Sequence, residues 1–167
     1  MILEEAIKTA ILYETKACEV YRDALKHIQE PKGRRIFQSL AEDEQRHRDY
    51  LIEKLQEWKS SGQLTVSKLK SAVPSPESIS AESEKLEETL TIDDRGDQKQ
   101  LLSKALKMEI ESSDFYRRLV EEMPRDAKPL FSVFLEIEDR HIAAVQAQLD
   151  YISGTGYWFD FKEFDME

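Results

Sequence analysis

Apolar residues in this chain recur at steps of three and four through four long stretches, and each stretch reads as one face of a helix. From Ile2 to Gln29 the stripe is Ile7, Ala10/Ile11, Ala17/Cys18, Tyr21, Leu25 and Ile28. Pro31 suits the first turn of a second helix, which carries Ile36/Phe37, Leu40, Leu51, Leu55 and Trp58 and ends near Ser60-Ser61-Gly62. A third helix holds Leu102, Ala105, Met108, Tyr116, Leu119 and Met123 and closes at Pro124. Pro129 opens a fourth with Leu130/Phe131, Phe134, Ile137, Val145, Leu149 and Ile152, ended by Gly154 and Gly156. Residues 62–98 differ in kind: Pro74, Pro76, several serines and the acidic run Glu82-Ser-Glu-Lys-Leu-Glu-Glu describe a crossover, with a short helix expected between Ala81 and Leu90. The pattern predicts an all-α four-helix bundle over residues 1–152, built from two helical hairpins joined by that long crossover. Residues 153–167 form an aromatic tail, Tyr157-Trp-Phe-Asp-Phe-Lys-Glu-Phe-Asp, expected either to strap its own bundle or to dock on a partner subunit.

Six positions break the stripes. Glu14 falls between Ile11 and Cys18; Glu44 and His47 fall between Leu40 and Leu51; Glu109 follows Ala105 by one turn; Glu138 and His141 are bracketed by Phe134 and Val145. All six should therefore face the core. They also form a repeat: Glu14 precedes Glu44-Gln-Arg-His47 by 30 residues, and Glu109 precedes Glu138-Asp-Arg-His141 by 29. One glutamate on a stripe is ordinarily an edge residue reaching solvent, and one inward histidine is ordinarily just hydrogen-bonded. Duplicated spacing across four helices makes that bland account hard to hold for all six.

Burying an ionised carboxylate costs several kcal/mol unless it is paired. Arg22, Arg46, Arg117 and Arg140 flank the stripes rather than occupy them, so the compensating cations are expected from outside. Glu and His at i and i+3 share a helix face and can bind one ion together. Four carboxylates with two neutral imidazoles carry −4, the balance of two divalent ions. Oxygen-rich ligation with one imidazole per ion suits iron or manganese, and zinc fits the same donors. The arrangement assigns Glu14 and Glu109 as terminal ligands, Glu44 and Glu138 as bridges, and one histidine to each ion. Tyr21 and Tyr116 each lie seven residues beyond a terminal glutamate, placed to hydrogen-bond a metal-bound carboxylate of a facing helix or simply to fill the core.

Composition narrows the remaining classes. The chain of 167 residues has 24 Lys and Arg against 34 Asp and Glu, a net charge of −10. That balance disfavours nucleic acid and anionic membranes as partners, and it is compatible with attracting metal cations. Cys18 alone forms neither an internal disulfide nor a four-cysteine metal module, and a buried inert thiol is the expectation. No basic, apolar leader opens the sequence and no run approaches the ~20 apolar residues of a bilayer span; a cytoplasmic setting is expected. His27 has no counterpart in the repeat and reads as a surface residue, and Arg46 and Arg140 read as surface salt-bridge formers.

On Glu14, Glu44, His47, Glu109, Glu138 and His141 the chain resembles the ferritin-like superfamily, and within it the rubrerythrin-type di-iron domain. Asp43-Glu-Gln-Arg-His47 also matches the acid-Glu-x-Arg-His form found among di-iron carboxylate proteins. The resemblance implies two iron ions in a dinuclear centre that reacts with hydrogen peroxide or dioxygen. Two departures stand out. Rubrerythrins carry a four-cysteine rubredoxin-like module, so an external electron donor such as a rubredoxin or reductase is implied here. They also place a further glutamate one turn beyond that of the third helix, where this chain has Ser112, which leaves a six-ligand set like that of bacterioferritin-type ferroxidase centres. The functional expectation is a peroxidase working as a compact homodimer. The alternatives are a ferroxidase that handles Fe(II), manganese catalase chemistry, and a metal-stabilised interaction module without turnover.

Overall fold

The computed structural model describes residues 2–66, Leu69 and residues 96–155. Among them are four helices and no strand: α1 (Leu3–Leu25), α2 (Pro31–Ser61), α3 (Gly96–Glu122) and α4 (Lys128–Thr155). The chain is an all-α four-helix bundle. The helix expected between Ala81 and Leu90 and the aromatic tail from Tyr157 lie outside the described residues, as does most of the crossover.

The helix ends follow local chemistry. The Glu30 side chain caps α2 by accepting the Gly33 N–H at 2.9 Å, with Pro31 in the first turn. Gly62 ends α2 in the left-handed conformation, φ 70°, its N–H donating to the Trp58 carbonyl. Helix α1 stops at Leu25, four residues short of the expected Gln29. The reason is Arg34, whose Nη1 donates to the carbonyls of Leu25 at 2.6 Å and Ile28 at 2.9 Å. With those carbonyls satisfied from outside, the chain turns early, and Ile28 is still buried. Toward the other end of the chain, α4 reaches Thr155, between the two glycines expected to end it.

Helix α1 packs on α2, α3 packs on α4, and the hairpins meet where α1 lies against α3. Two apolar layers fill the bundle. One gathers Tyr21, Ile28, Ile36, Phe37, Leu40, Leu102, Val145 and Ile152. The other gathers Ile7, Leu51, Phe115, Leu119, Leu130, Phe131 and Phe134. In each layer the late part of one helix of a hairpin meets the early part of the other, as antiparallel packing requires. The two layers leave a band at mid-height, at the level of residues 14, 44, 47, 109, 138 and 141.

Candidate metal centre

That band is where the six stripe-breaking residues meet. Glu14, Glu44, His47, Glu109, Glu138 and His141 are each at most 1% exposed. Their donor atoms fall into two overlapping groups, within each of which one atom per residue lies within 4.8 Å of the others. Glu14, Glu44, His47 and Glu138 make the first group; Glu44, Glu109, Glu138 and His141 make the second. Glu44 and Glu138 belong to both.

Tyrosines from the opposite helix fix the outer carboxylates. The Tyr21 hydroxyl of α1 donates to Glu109 Oε1 of α3, and the Tyr116 hydroxyl of α3 donates to Glu14 Oε1 of α1 at 2.7 Å. These reciprocal bonds also show α1 and α3 to be antiparallel, since the earlier residue of each helix meets the later one of its neighbour. Each phenol occupies one carboxylate oxygen and leaves the second without a partner. Glu14 Oε2 and Glu109 Oε2 are buried with no hydrogen bond, and so are both oxygens of Glu44, both ring nitrogens of His47 and Nδ1 of His141.

Seven such orphans in one place would be an expensive defect in a structural core, where an unmet buried polar atom costs about 1–3 kcal/mol. The contacts between them are equally telling. His141 Nδ1 stands 2.8 Å from Glu44 Oε1 and 3.4 Å from Glu109 Oε1, yet His141 Nδ1 and Glu44 Oε1 form no hydrogen bond. Neighbouring ligands on an octahedral first-row ion, each about 2.1 Å from it, sit about 3 Å apart with their lone pairs aimed at the ion rather than at each other. The donor set fits a pair of divalent cations, and the buried cluster is able to bind metal.

Electrostatics point the same way. Burial, and then the charge of Glu44, pushes the Glu14 carboxyl well above the usual range. Burial and the neighbouring Glu109, Glu14 and Glu44 do the same to Glu138, and burial with Glu109 raises Glu44. Glu109 goes the other way. Burial would raise it, but the charge of His141, the adjacent Glu138 carboxyl and the hydrogen bond from Tyr21 bring it down to about 2. Burial would depress His141, but Glu109, Glu44 and the bond to Asp43 hold its pKa well up. His47 is depressed, with burial outweighing Glu14 and Asp43. Without cations the cluster keeps protons in place of them, because four adjacent carboxylates cannot all ionise in a dry interior.

Asp43 is the residue to which sequence reasoning gave no role. It is fully buried, its Oδ2 lies 2.8 Å from His141 Nε2, and its Oδ1 pairs with Arg46. A buried acid directly before Glu44-x-x-His47 was the available signal, masked because its stripe position is shared with Glu44. Arg46 therefore reaches from a half-exposed position to a buried carboxylate rather than making a surface bridge, whereas Arg140 pairs with exposed Glu136 at 3.0 Å. Lys54 is a second surprise: it is buried, bonded to Glu57 and Thr65, and these partners lie beyond the cluster. Cys18 is buried, with Sγ near the Ala41 carbonyl and the Gln45 side chain. Ser112 is buried, and His27 is exposed.

No helix among the described residues is long and apolar enough to cross a membrane. No curated protein and no solved structure matches the chain. The sequence model of the rubrerythrin family matches residues 5–149, a span that contains all six clustered residues and both tyrosines. By that match over most of its length, the chain belongs to the rubrerythrin family.

Proposed function

We propose that this protein is a di-iron oxidoreductase that reduces hydrogen peroxide with electrons from a separate donor protein. The observation that carries the reading is the convergence of six unpartnered buried donor atoms, Glu14 Oε2, both Glu44 oxygens, His47 Nδ1, Glu109 Oε2 and His141 Nδ1, on two groups sharing Glu44 and Glu138. Glu14 and His47 would hold one ion, Glu109 and His141 the other, with Glu44 and Glu138 between them. An iron pair supplies two electrons and a doubly Lewis-acidic surface on which a peroxide bond is polarised.

The chain's own residues supply the rest. Tyr21 and Tyr116 hold Glu109 and Glu14 in register, each through one oxygen, so that the other stays turned to the centre. Burial, with the carboxylates next to them, keeps both phenols protonated far above neutrality; they act as fixed donors rather than proton sources. Phe134 packs nearly perpendicular to the His47 ring at 5.8 Å between centroids and stacks on Tyr116 at 5.2 Å, so apolar surface lines the α4 side of the centre. Cys18 is the one cysteine of these 167 residues, so they cannot themselves form a four-cysteine electron-transfer module, and the donor proposed for this domain is a rubredoxin or reductase.

A second reading has its own observation. Ser112, buried one turn beyond Glu109, stands where rubrerythrins place a further glutamate. The six-ligand set that remains also suits a ferroxidase, for which Fe(II) is substrate. Anaerobic loading with Fe(II), followed by stopped-flow mixing with peroxide and with dioxygen in parallel, separates the two. A peroxidase gives two irons per chain, oxidation by peroxide at least about tenfold faster than by dioxygen, and no growing mineral. Comparable rates with continued iron uptake would establish the ferroxidase. Failure to bind two ions would sink both.

A further inference from the structure

The repeat that builds the centre is broken at one buried position. Aligning Glu44 with Glu138 and His47 with His141 sets Asp43 against Ile137. Both are buried, at 0% and 4% exposure. Asp43 reaches from α2 to the His141 imidazole of α4, its Oδ2 at 2.8 Å from Nε2. By the approximate two-fold relation that pairs Tyr21–Glu109 with Tyr116–Glu14, the residue of α4 corresponding to Asp43, and so expected to face His47, is Ile137. Isoleucine has no acceptor to offer there. His47 Nε2 accordingly makes no hydrogen bond; the Asp43 oxygen nearest it is 3.7 Å away and already bonded to His141.

The two ends differ in spacing as well. His141 Nδ1 lies 2.8 and 3.4 Å from the carboxylates of Glu44 and Glu109, whereas His47 Nδ1 lies 3.8 Å from those of Glu14 and Glu44. A carboxylate on the outer N–H of an imidazole fixes the tautomer, holds the ring and strengthens the other nitrogen as a donor, an effect of about 10–100-fold in metal affinity. Only one of the two imidazoles has that support.

Resting on the dinuclear reading above, we propose that the two metal positions are inequivalent by design of this chain. The position between Glu109 and His141 is the tight one, with Asp43 as its positioning residue. The position between Glu14 and His47 is the exchangeable one, because Ile137 stands where a second carboxylate would. The centre then fills in a fixed order, and a divalent first-row ion can be replaced at one position while the other is retained.

Calorimetric titration of the metal-free full chain with Co(II) tests this, together with anomalous diffraction from crystals carrying one equivalent. Two binding steps separated by at least about tenfold are expected, with the first cobalt between Glu109 and His141. D43N keeps the size of the side chain and removes its charge; it should weaken the first step by about 10–100-fold and leave the second unchanged, so that the steps merge. A general loss of packing would weaken both. I137D, with folding checked by circular dichroism, should strengthen the second step towards the first, and a folded I137D that left it unmoved would overturn the role given to Ile137. Simultaneous filling of both positions in the natural protein, first occupancy at His47, or equal weakening of both steps by D43N would overturn the inference while leaving a dinuclear centre intact. Absence of cobalt binding would overturn the dinuclear reading and this inference with it.

Discussion

The apolar layers and the charged band between them are built on the same four helices but obey opposite rules. In the layers, Phe37, Leu40, Leu102 and Val145 pack in one buried apolar cluster, and their burial is stabilising. In the band, burial works against every ionised group, and among the described residues no Lys or Arg forms an ion pair with the four clustered glutamates to offset it; Arg46 pairs with Asp43 instead. The bundle is therefore two conventional cores with a deliberately unsatisfied layer in the middle. The layers provide the free energy, and the band spends part of it to keep donor atoms dry and aimed.

The comparison can be broken most severely from the layers. Phe37→Ala should destabilise by about 3–5 kcal/mol, and by the same amount with and without metal, since Phe37 belongs to the layer and has no place in the cluster. Denaturant titration of both forms checks this; a loss confined to the metal-loaded form would mean that the layer and the band are not separable.

The band should show the inverse. Glu44→Gln removes a buried carboxylate shared by both donor groups, so metal binding should fall by more than about 100-fold, beyond what an outer partner contributes. At pH high enough to ionise Glu44, the metal-free variant should instead be more stable than the natural protein, on the order of 2 kcal/mol, because there the natural protein holds a buried charge with no cation to meet it. A variant that loses stability in the metal-free state would contradict the view of the band as a strained layer.

The mildest test uses protons. Glu14, Glu44 and Glu138 are raised from an ordinary value of 4.5, and His141 is raised from 6.5. The folded metal-free protein thus binds more protons than the unfolded chain from about pH 4.5 upward. The stability these groups contribute is complete below their unfolded values and is lost as pH rises through the folded ones. His47 is shifted the other way and opposes the trend, while Glu109, at about 2, acts below this window. Between pH 5.5 and 8 the metal-free protein should lose about 1.4 kcal/mol per pH unit for each extra proton held. Bound cations would take the place of those protons and flatten the profile. Thermal melts of both forms across the range decide it; a metal-free profile that rises with pH would refute the picture.

How far the sequence foretold this depends on the kind of information involved. The four helices were legible because their stripes are long and their ends carry Pro31, Gly62, Pro124 and Pro129. The six clustered residues were legible because charge on a stripe is conspicuous and the spacing repeats. What stayed hidden was set by contacts between distant positions. The early end of α1 depends on Arg34 reaching back to Leu25 and Ile28, which no periodicity encodes. Asp43 looked like part of a motif until its carboxylate was seen on the imidazole of another helix. Lys54 lies on the buried side of α2 because Glu57 and Thr65 meet its ammonium, a pairing that binary patterning reads as exposed. The crossover and the aromatic tail fall outside the described residues.

The crossed tyrosines carry one more consequence, for the order in which the molecule is made. Tyr21 and Glu109 are separated by 88 positions and Tyr116 and Glu14 by 102. Each hairpin can zip from contacts close in sequence, but neither contains the acceptor for its own phenol. The carboxylates are placed only when the second hairpin docks on the first, among the slowest contacts to form because the loop to be closed is longest. A newly made chain would thus acquire helix early and cation affinity late, so the arrival of bound metal marks the end of folding and not its nucleus.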